Sequence, residues 1–192
     1  MIAQLGLALV LCGAAQAGPP QEPANSFDPQ IQKEFDQRVN DYVKLRKTAQ
    51  EGLDKLKPTK SAEQIEHHEK GLAHKIRELR ADARQGDIFT SDVSEQFRRL
   101  VGTAMHGADS TRIRQSLHRA EPVHLKNLRV NGSYPKGVPL QSMPPTLLSN
   151  LPKLPSGLEY RVVGSSLILL DGEAGLVVDF IPDILPVVSD AH

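Results

Sequence analysis

LEYRVVGSSLILLDGEAGLVVDFI, residues 158–181, holds three short apolar runs parted by glycine-bearing breaks. The runs are Leu158 to Val163, Leu167 to Leu170 and Leu176 to Ile181, with Pro182 and Pro186 closing the last. The breaks, Gly164-Ser165-Ser166 and Asp171 to Gly175, are short enough for hairpins, so an antiparallel meander is expected. In the first run Tyr160 and Val162 face opposite to Arg161 and Val163, because successive strand side chains alternate. The second run, Leu-Ile-Leu-Leu, is apolar on both sides and reads as a central strand covered by helices. So small a sheet cannot bury its own face, and the rest of the chain must supply a cover.

That cover is legible upstream. Asp28 is a good N-cap with Pro29 at the first helical position. From there Phe35, Val39, Tyr42, Arg46, Ala49, Leu53 and Leu56 recur at spacings of four and three, one stripe interrupted by Arg46 and broken at Pro58. Ser61 and Gln64 form a capping box that starts a second helix. Its stripe is Ile65, Glu69, Leu72, Ile76, Leu79 and Ala83, ending at Gln85-Gly86-Asp87. Two helices of similar length with a three-residue break fold back as an antiparallel hairpin, and Arg46 and Glu69 could meet across its seam. A third helix from Thr90-Ser91 buries Val93, Phe97, Leu100, Val101 and Ala104 and ends at Gly107. A short fourth covers Ser110 to Arg119 with Ile113 and Leu117 inward. Val123 to Val130 is an irregular strand candidate ending at Asn131-Gly132, and a Pro-punctuated loop with a helical turn at Thr146 to Asn150 leads to the meander.

Composition agrees with helices first and strands after. Residues 18–120 carry 18 Lys+Arg, 16 Asp+Glu and five prolines, whereas residues 121–192 carry 5, 7 and nine. The class expected is α+β, with an N-terminal antiparallel helical hairpin, two shorter helices, and a small C-terminal antiparallel β-meander. The organisation expected is a signal peptide at 1–17, a Pro-rich disordered linker at 18–27, a helical region at 28–120, and a Pro-rich loop with the sheet at 121–192.

The whole chain balances 23 basic against 23 acidic residues, which leaves no electrostatic footprint for nucleic acid. One cysteine in 192 residues excludes a disulfide framework and a zinc site of paired cysteines. Ile2 to Cys12 is an apolar run followed by Ala15-Gln16-Ala17 and then Gly18-Pro19-Pro20. It reads as the core of a secretory signal with cleavage between Ala17 and Gly18. It is too short to anchor, so no transmembrane helix is expected in the mature chain. No Lys or Arg precedes the run, which points to a start upstream of Met1. Cys12 follows the run as a lipidated cysteine would, but Leu11 before it is larger than a lipoprotein signal wants. Localisation is therefore expected to be periplasmic or secreted.

The segments at residues 85–90 (QGDIFT), 128–135 (LRVNGSYP), 144–148 (PPTLL), 154–161 (LPSGLEYR), 167–171 (LILLD) and 176–182 (LVVDFIP) together resemble an uncharacterised family of exported bacterial proteins. That resemblance covers roughly half the chain and implies an envelope or secreted location, with no activity and no functional residues to carry over. A looser similarity, by analogy alone, joins Gly157 to Val178 to small periplasmic proteins of nickel and cobalt homeostasis.

Three groups of residues are weighed for chemistry. Glu63, His67 and His74 share one face of the second helix and are candidate metal ligands, although the two histidines are seven apart rather than the four of a zinc-binding helix; a solvated, charge-rich helix face is the preferred reading of them. Asp171, Glu173, Asp179 and Asp183 gather near the last strands, where a buried carboxylate could serve general acid/base chemistry; Asp171 and Glu173 also suit turn geometry. Without Cys12 no thiol remains, and neither a nucleophile elbow nor a phosphate-binding glycine loop occurs. No cofactor is called for. The expected function is a non-catalytic envelope protein that acts through its surface, toward another envelope protein or a second copy of itself. Periplasmic divalent-metal binding and, after it, a hydrolase built on the C-terminal carboxylates are the alternatives.

Overall fold

Asp28 opens the first helix as its residue type predicts. In the computed structural model, which describes residues 27–54, 61–119, 128–135 and 141–185, its carboxylate accepts from the Gln30 and Ile31 backbone N–H groups at 2.8 and 3.2 Å. Helix α1 (Pro29–Glu51) buries Phe35, Val39, Tyr42, Arg46 and Ala49, the expected stripe. It ends at Gly52, well before Pro58. Leu53 lies beyond the helix against Gly71, so the connection to α2 is longer than the three residues expected. Leu56, Pro58, the leader with Cys12, Ala17 and Gly18, and the linker up to residue 26 lie outside the described residues.

Ser61 caps α2 (Ala62–Leu79), its hydroxyl accepting from Gln64 N–H at 3.3 Å. The pairing is antiparallel: Leu53 at the end of α1 meets Gly71, whereas Tyr42 in its middle lies beneath Arg80 just past the end of α2, 5.2 Å from ring centroid to guanidinium. Only the middle of the α2 stripe is covered. Leu72, Ala73 and Ile76 are buried, but Ile65 and Leu79 remain 46% and 49% exposed, and the helix stops at Leu79, short of Ala83. Thr90 caps α3 (Ser91–His106), which buries Val93, Gln96, Phe97, Leu100, Val101 and Met105. Helix α4 (Ser110–Arg119) turns Ile113 and Leu117 inward, as expected.

The sheet has four antiparallel strands in the order β1-β2-β3-β4: β1 (Gln141–Ser142), β2 (Leu158–Val163), β3 (Ser166–Asp171) and β4 (Leu176–Ile181). The three long strands match the expected meander. The two-residue β1 was not expected; past Met143 it meets Pro144 and Pro145, and proline cannot donate to a ladder. Between β1 and β2 lies the one-turn helix α5 (Pro145–Leu148). Gly164, at φ +58°, makes the tight β2–β3 turn that joins Val163 to its partner Ser166. Of the strand expected at Val123 to Val130, the described residues 128–130 are not strand; the next residues dock on β4 instead. Asn131 N–H donates to Val177 carbonyl and Tyr134 N–H to Gly175 carbonyl, at 2.9 and 2.8 Å. This edge pairing begins at Asn131, which turns the chain at φ +60°.

Helices cover one sheet face. Leu158, Tyr160, Val162, Leu167, Leu169, Leu176 and Val178 join the helical residues in a single core. Its centre is aromatic: Phe97 sits 5.2 to 5.8 Å, centroid to centroid, from Phe27, Phe35, Phe89 and Tyr160, which ties α1, α3 and the loop before α3 to β2. The opposite face carries a smaller cluster of Tyr134, Val163, Ile168, Leu170 and Val177. Strand β3 is thus apolar on both sides and central, as its sequence demands.

Candidate functional site

The two acidic side chains with the strongest claim to chemistry, Asp171 and Asp179, are both fully buried at 0% exposure. A β-bulge explains how Asp179 gets there. Leu169 pairs with Asp179 and Leu170 with Val177, so Val178 is the extra residue, and the adjacent Val178 and Asp179 both turn toward the helices. Once there, the carboxylate is saturated with donors. Gly86, Ile88 and Phe89 N–H groups reach it at 3.1, 2.9 and 2.8 Å, and Phe180 N–H at 2.8 Å. Gly86 takes φ +91° to bring the loop in. Asp179 therefore nails the loop between α2 and α3 onto the sheet.

Asp171, at the far end of β3, is the second fastening. Its Oδ1 accepts from Glu173 and Ala174 N–H at 2.9 and 3.1 Å, which shapes the β3–β4 turn. Its Oδ2 accepts the Tyr42 hydroxyl at 2.7 Å. Burial, reinforced by the Asp171 carboxylate, raises the Tyr42 pKa far above the ordinary tyrosine value. Arg46 completes the cluster. Its Nη2 donates to Ser156 carbonyl at 2.9 Å, while Nη1 lies 3.6 Å from Asp171 Oδ1 and 4.0 Å from Glu173 Oε1. The interruption in the α1 stripe is thus the residue that fixes α1 to the sheet. Glu69 lies over the same turn, so close that a Cβ on Gly175 would sit 2.6 Å from its Oε1.

The four carboxylates do not converge. Asp171 and Glu173 stand at one end of β3, whereas Asp183 accepts the Ser165 hydroxyl at 2.8 Å at the other. Glu173 is exposed and accepts Gln50 Nε2 at 2.6 Å. A general acid or base must touch its substrate, and neither buried carboxylate presents surface to one.

Glu63, His67 and His74 are all exposed on the outer side of α2. His74 Nε2 pairs with Glu78 at 3.1 Å, one turn further along the same helix. Among the described residues no three His, Cys, Asp or Glu side chains are grouped so as to hold a metal ion.

One open feature of the surface among the described residues is a groove of about 470 Å³ alongside β2. Leu148, Leu151 and Leu154 line one wall, and Leu158, Glu159 and Arg161 the other. Leu148 is 46% exposed, and Arg161 pairs with Glu159 at the rim. Sequence reasoning missed this groove because its walls are joined by the irregular path of residues 149–157, which no periodicity describes. An isolated Leu-Leu pair after two prolines was the one available signal. No helix among the described residues is long and apolar enough to cross a membrane. Comparison with protein-family models, curated proteins and solved structures finds no match to this chain.

Proposed function

We propose that this chain is an exported, non-catalytic binding protein of the periplasm or extracellular space that engages a partner protein through the groove beside β2. The observation that carries this reading is the contrast in exposure. The residues best suited to chemistry are sealed under the helices and used by the fold, whereas a groove of mixed apolar and charged lining, with a half-exposed leucine in its wall, stays open. Export is supported by the apolar run before Ala17 and by a remainder free of cysteine, which is indifferent to an oxidising compartment.

The test is site-specific photocrosslinking in the cell envelope with the probe at Leu148, and with the probe at Ile65 on α2 as the comparison. Adducts confined to the Leu148 probe are expected, and a product of twice the mass would identify the partner as a second copy. Equal adducts at both positions, or none at Leu148, would overturn the groove as the binding surface. Fractionation tests export separately: a processed chain beginning at Gly18 outside the cytoplasm is expected, and an intact cytoplasmic chain would refute it.

A further inference from the structure

The groove follows the part of β2 that the sheet leaves unpaired. On one side every residue of β2 has a partner in β3. On the other, β1 pairs with Val162 and Arg161 and goes no further, so among the described residues no strand stands beside Leu158, Glu159 and Tyr160. β2 is thus an inner strand where it ends and an edge strand where it begins. The groove runs along that edge: Leu158 to Arg161 line it, and no residue of β3 does.

One hydrogen bond fixes which way the backbone groups of this edge point. Gly172 N–H donates to Gly157 carbonyl at 2.9 Å, continuing the β2–β3 register, and such groups alternate along an antiparallel pair. Leu158 and Tyr160 therefore turn their carbonyls away from β3, to the groove side. Leu158 N–H is already taken by Pro155 carbonyl at 3.2 Å, so at that residue the edge offers an acceptor alone. Acceptors at strand spacing match the N–H groups of another extended chain, whereas a helix keeps its N–H groups in its own bonds. The facing wall is apolar at Leu148, Leu151 and Leu154 and carries Lys153. Lys153 is exposed and in no ion pair with a described residue, while Arg161 is paired with Glu159.

We infer that the groove takes an extended segment of the partner protein as an added strand beside Leu158 to Tyr160, in the place a longer β1 would fill, with apolar side chains on the leucine wall and an acidic one toward Lys153. This rests on the groove being the binding surface and states how that surface binds. The probe is a phage-displayed library of random linear peptides of about nine residues, which span roughly 30 Å when extended. It is selected on the purified protein, and the winners that crosslink to a photoprobe at Leu148 are resynthesised with one backbone N-methyl group at each position in turn. Each methyl removes one donor, so affinity is expected to fall about tenfold or more at every second position and to change little at those between. An acidic residue should recur among the winners, and Lys153→Glu should weaken them about threefold or more. Peptides that crosslink at Leu148 but lose affinity at every third or fourth position, or at none, would overturn strand addition and leave the groove standing as the binding surface. A selection with no Leu148-crosslinking peptide would also overturn it, without touching the envelope crosslink. An envelope adduct of twice the mass that these peptides fail to reduce would assign the groove to a folded second copy instead.

Discussion

Replacing Asp179 with Asn removes a charge from the interior and almost no volume, so its effect isolates the hydrogen bonds. Each carboxylate oxygen serves two backbone donors: Oδ1 takes Gly86 and Phe180 N–H, and Oδ2 takes Ile88 and Phe89 N–H. An amide turned either way keeps one pair and presents an NH₂ group to the other. A hydrogen bond to a charged group contributes about 1.5–3 kcal/mol, so losing two costs roughly 3–6 kcal/mol. That is a large part of the roughly 5–15 kcal/mol that holds a domain together. Urea denaturation gives the free energy directly, and thermal melting should fall by roughly 10 °C or more. Asp183→Asn is the matched control. It lies exposed at φ +49°, where asparagine is well tolerated, and should change stability by less than about 0.5 kcal/mol. An Asp179→Asn protein within about 1 kcal/mol of the parent would refute the account of this carboxylate as a structural fastening.

Three further outcomes are expected. Gly102 lies inside α3 with nothing within 4 Å of where a Cβ would stand, so Gly102→Ala should raise stability by about 0.5–1 kcal/mol in the same urea assay. Gly157→Ala should lower it by roughly 2 kcal/mol, because residue 157 is at φ +83° and the new methyl would stand 2.5 Å from Arg46 Nη1. Alkaline pH should destabilise the fold: burial raises the pKa of Tyr42 and Tyr160, so above about pH 10 the unfolded chain loses protons that the folded one keeps. The stabilisation is complete below the unfolded tyrosine pKa and falls by about 1.4 kcal/mol per pH unit for each ring above it, until the folded pKa is reached. Absorbance at the tyrosinate band should show both rings ionising only as the protein unfolds; free titration near pH 10 in the folded state would contradict their burial.

What was legible in the sequence was local. The Asp28, Ser61 and Thr90 caps fall where they should because a cap is decided within four residues. The three long strands follow from alternation and glycine placement within one stretch of 24 residues. What was not legible depends on partners far along the chain. Periodicity cannot say that the start of α2 outruns α1, which ends at Gly52 and leaves Ile65 half-exposed. Nor can it reveal that residues 131–134 dock on β4, or that β1 runs for only two residues, since each needs the sheet to exist first. The candidate site divides the same way. Asp179 stands out as an acid between Val178 and Phe180, but the three donors that decide its role lie about 90 residues earlier.

A buried acid in a strand is thus ambiguous until its donors are counted, and the count here explains why the polar groups are buried at all. Apolar burial is non-directional, so helices packed on a flat sheet by leucine and valine alone could rotate or slide with small penalty. Hydrogen bonds to a carboxylate are directional. Asp171 accepts Tyr42 from above while Arg46, one turn further along α1, reaches Ser156, so two points of one helix are fixed against one end of the sheet. Asp179 fixes the loop that follows the hairpin, and Arg80 holds Val178 carbonyl and Asn131 beside it at 3.1–3.3 Å. A leucine at 171 would fill the same space and select none of these partners. The same economy bears on function: groups committed to orientation are not available for chemistry, so the parts free to specialise are those the orientation does not use. Among the described residues the exposed positions 148–150, beside the groove along β2, are one such part.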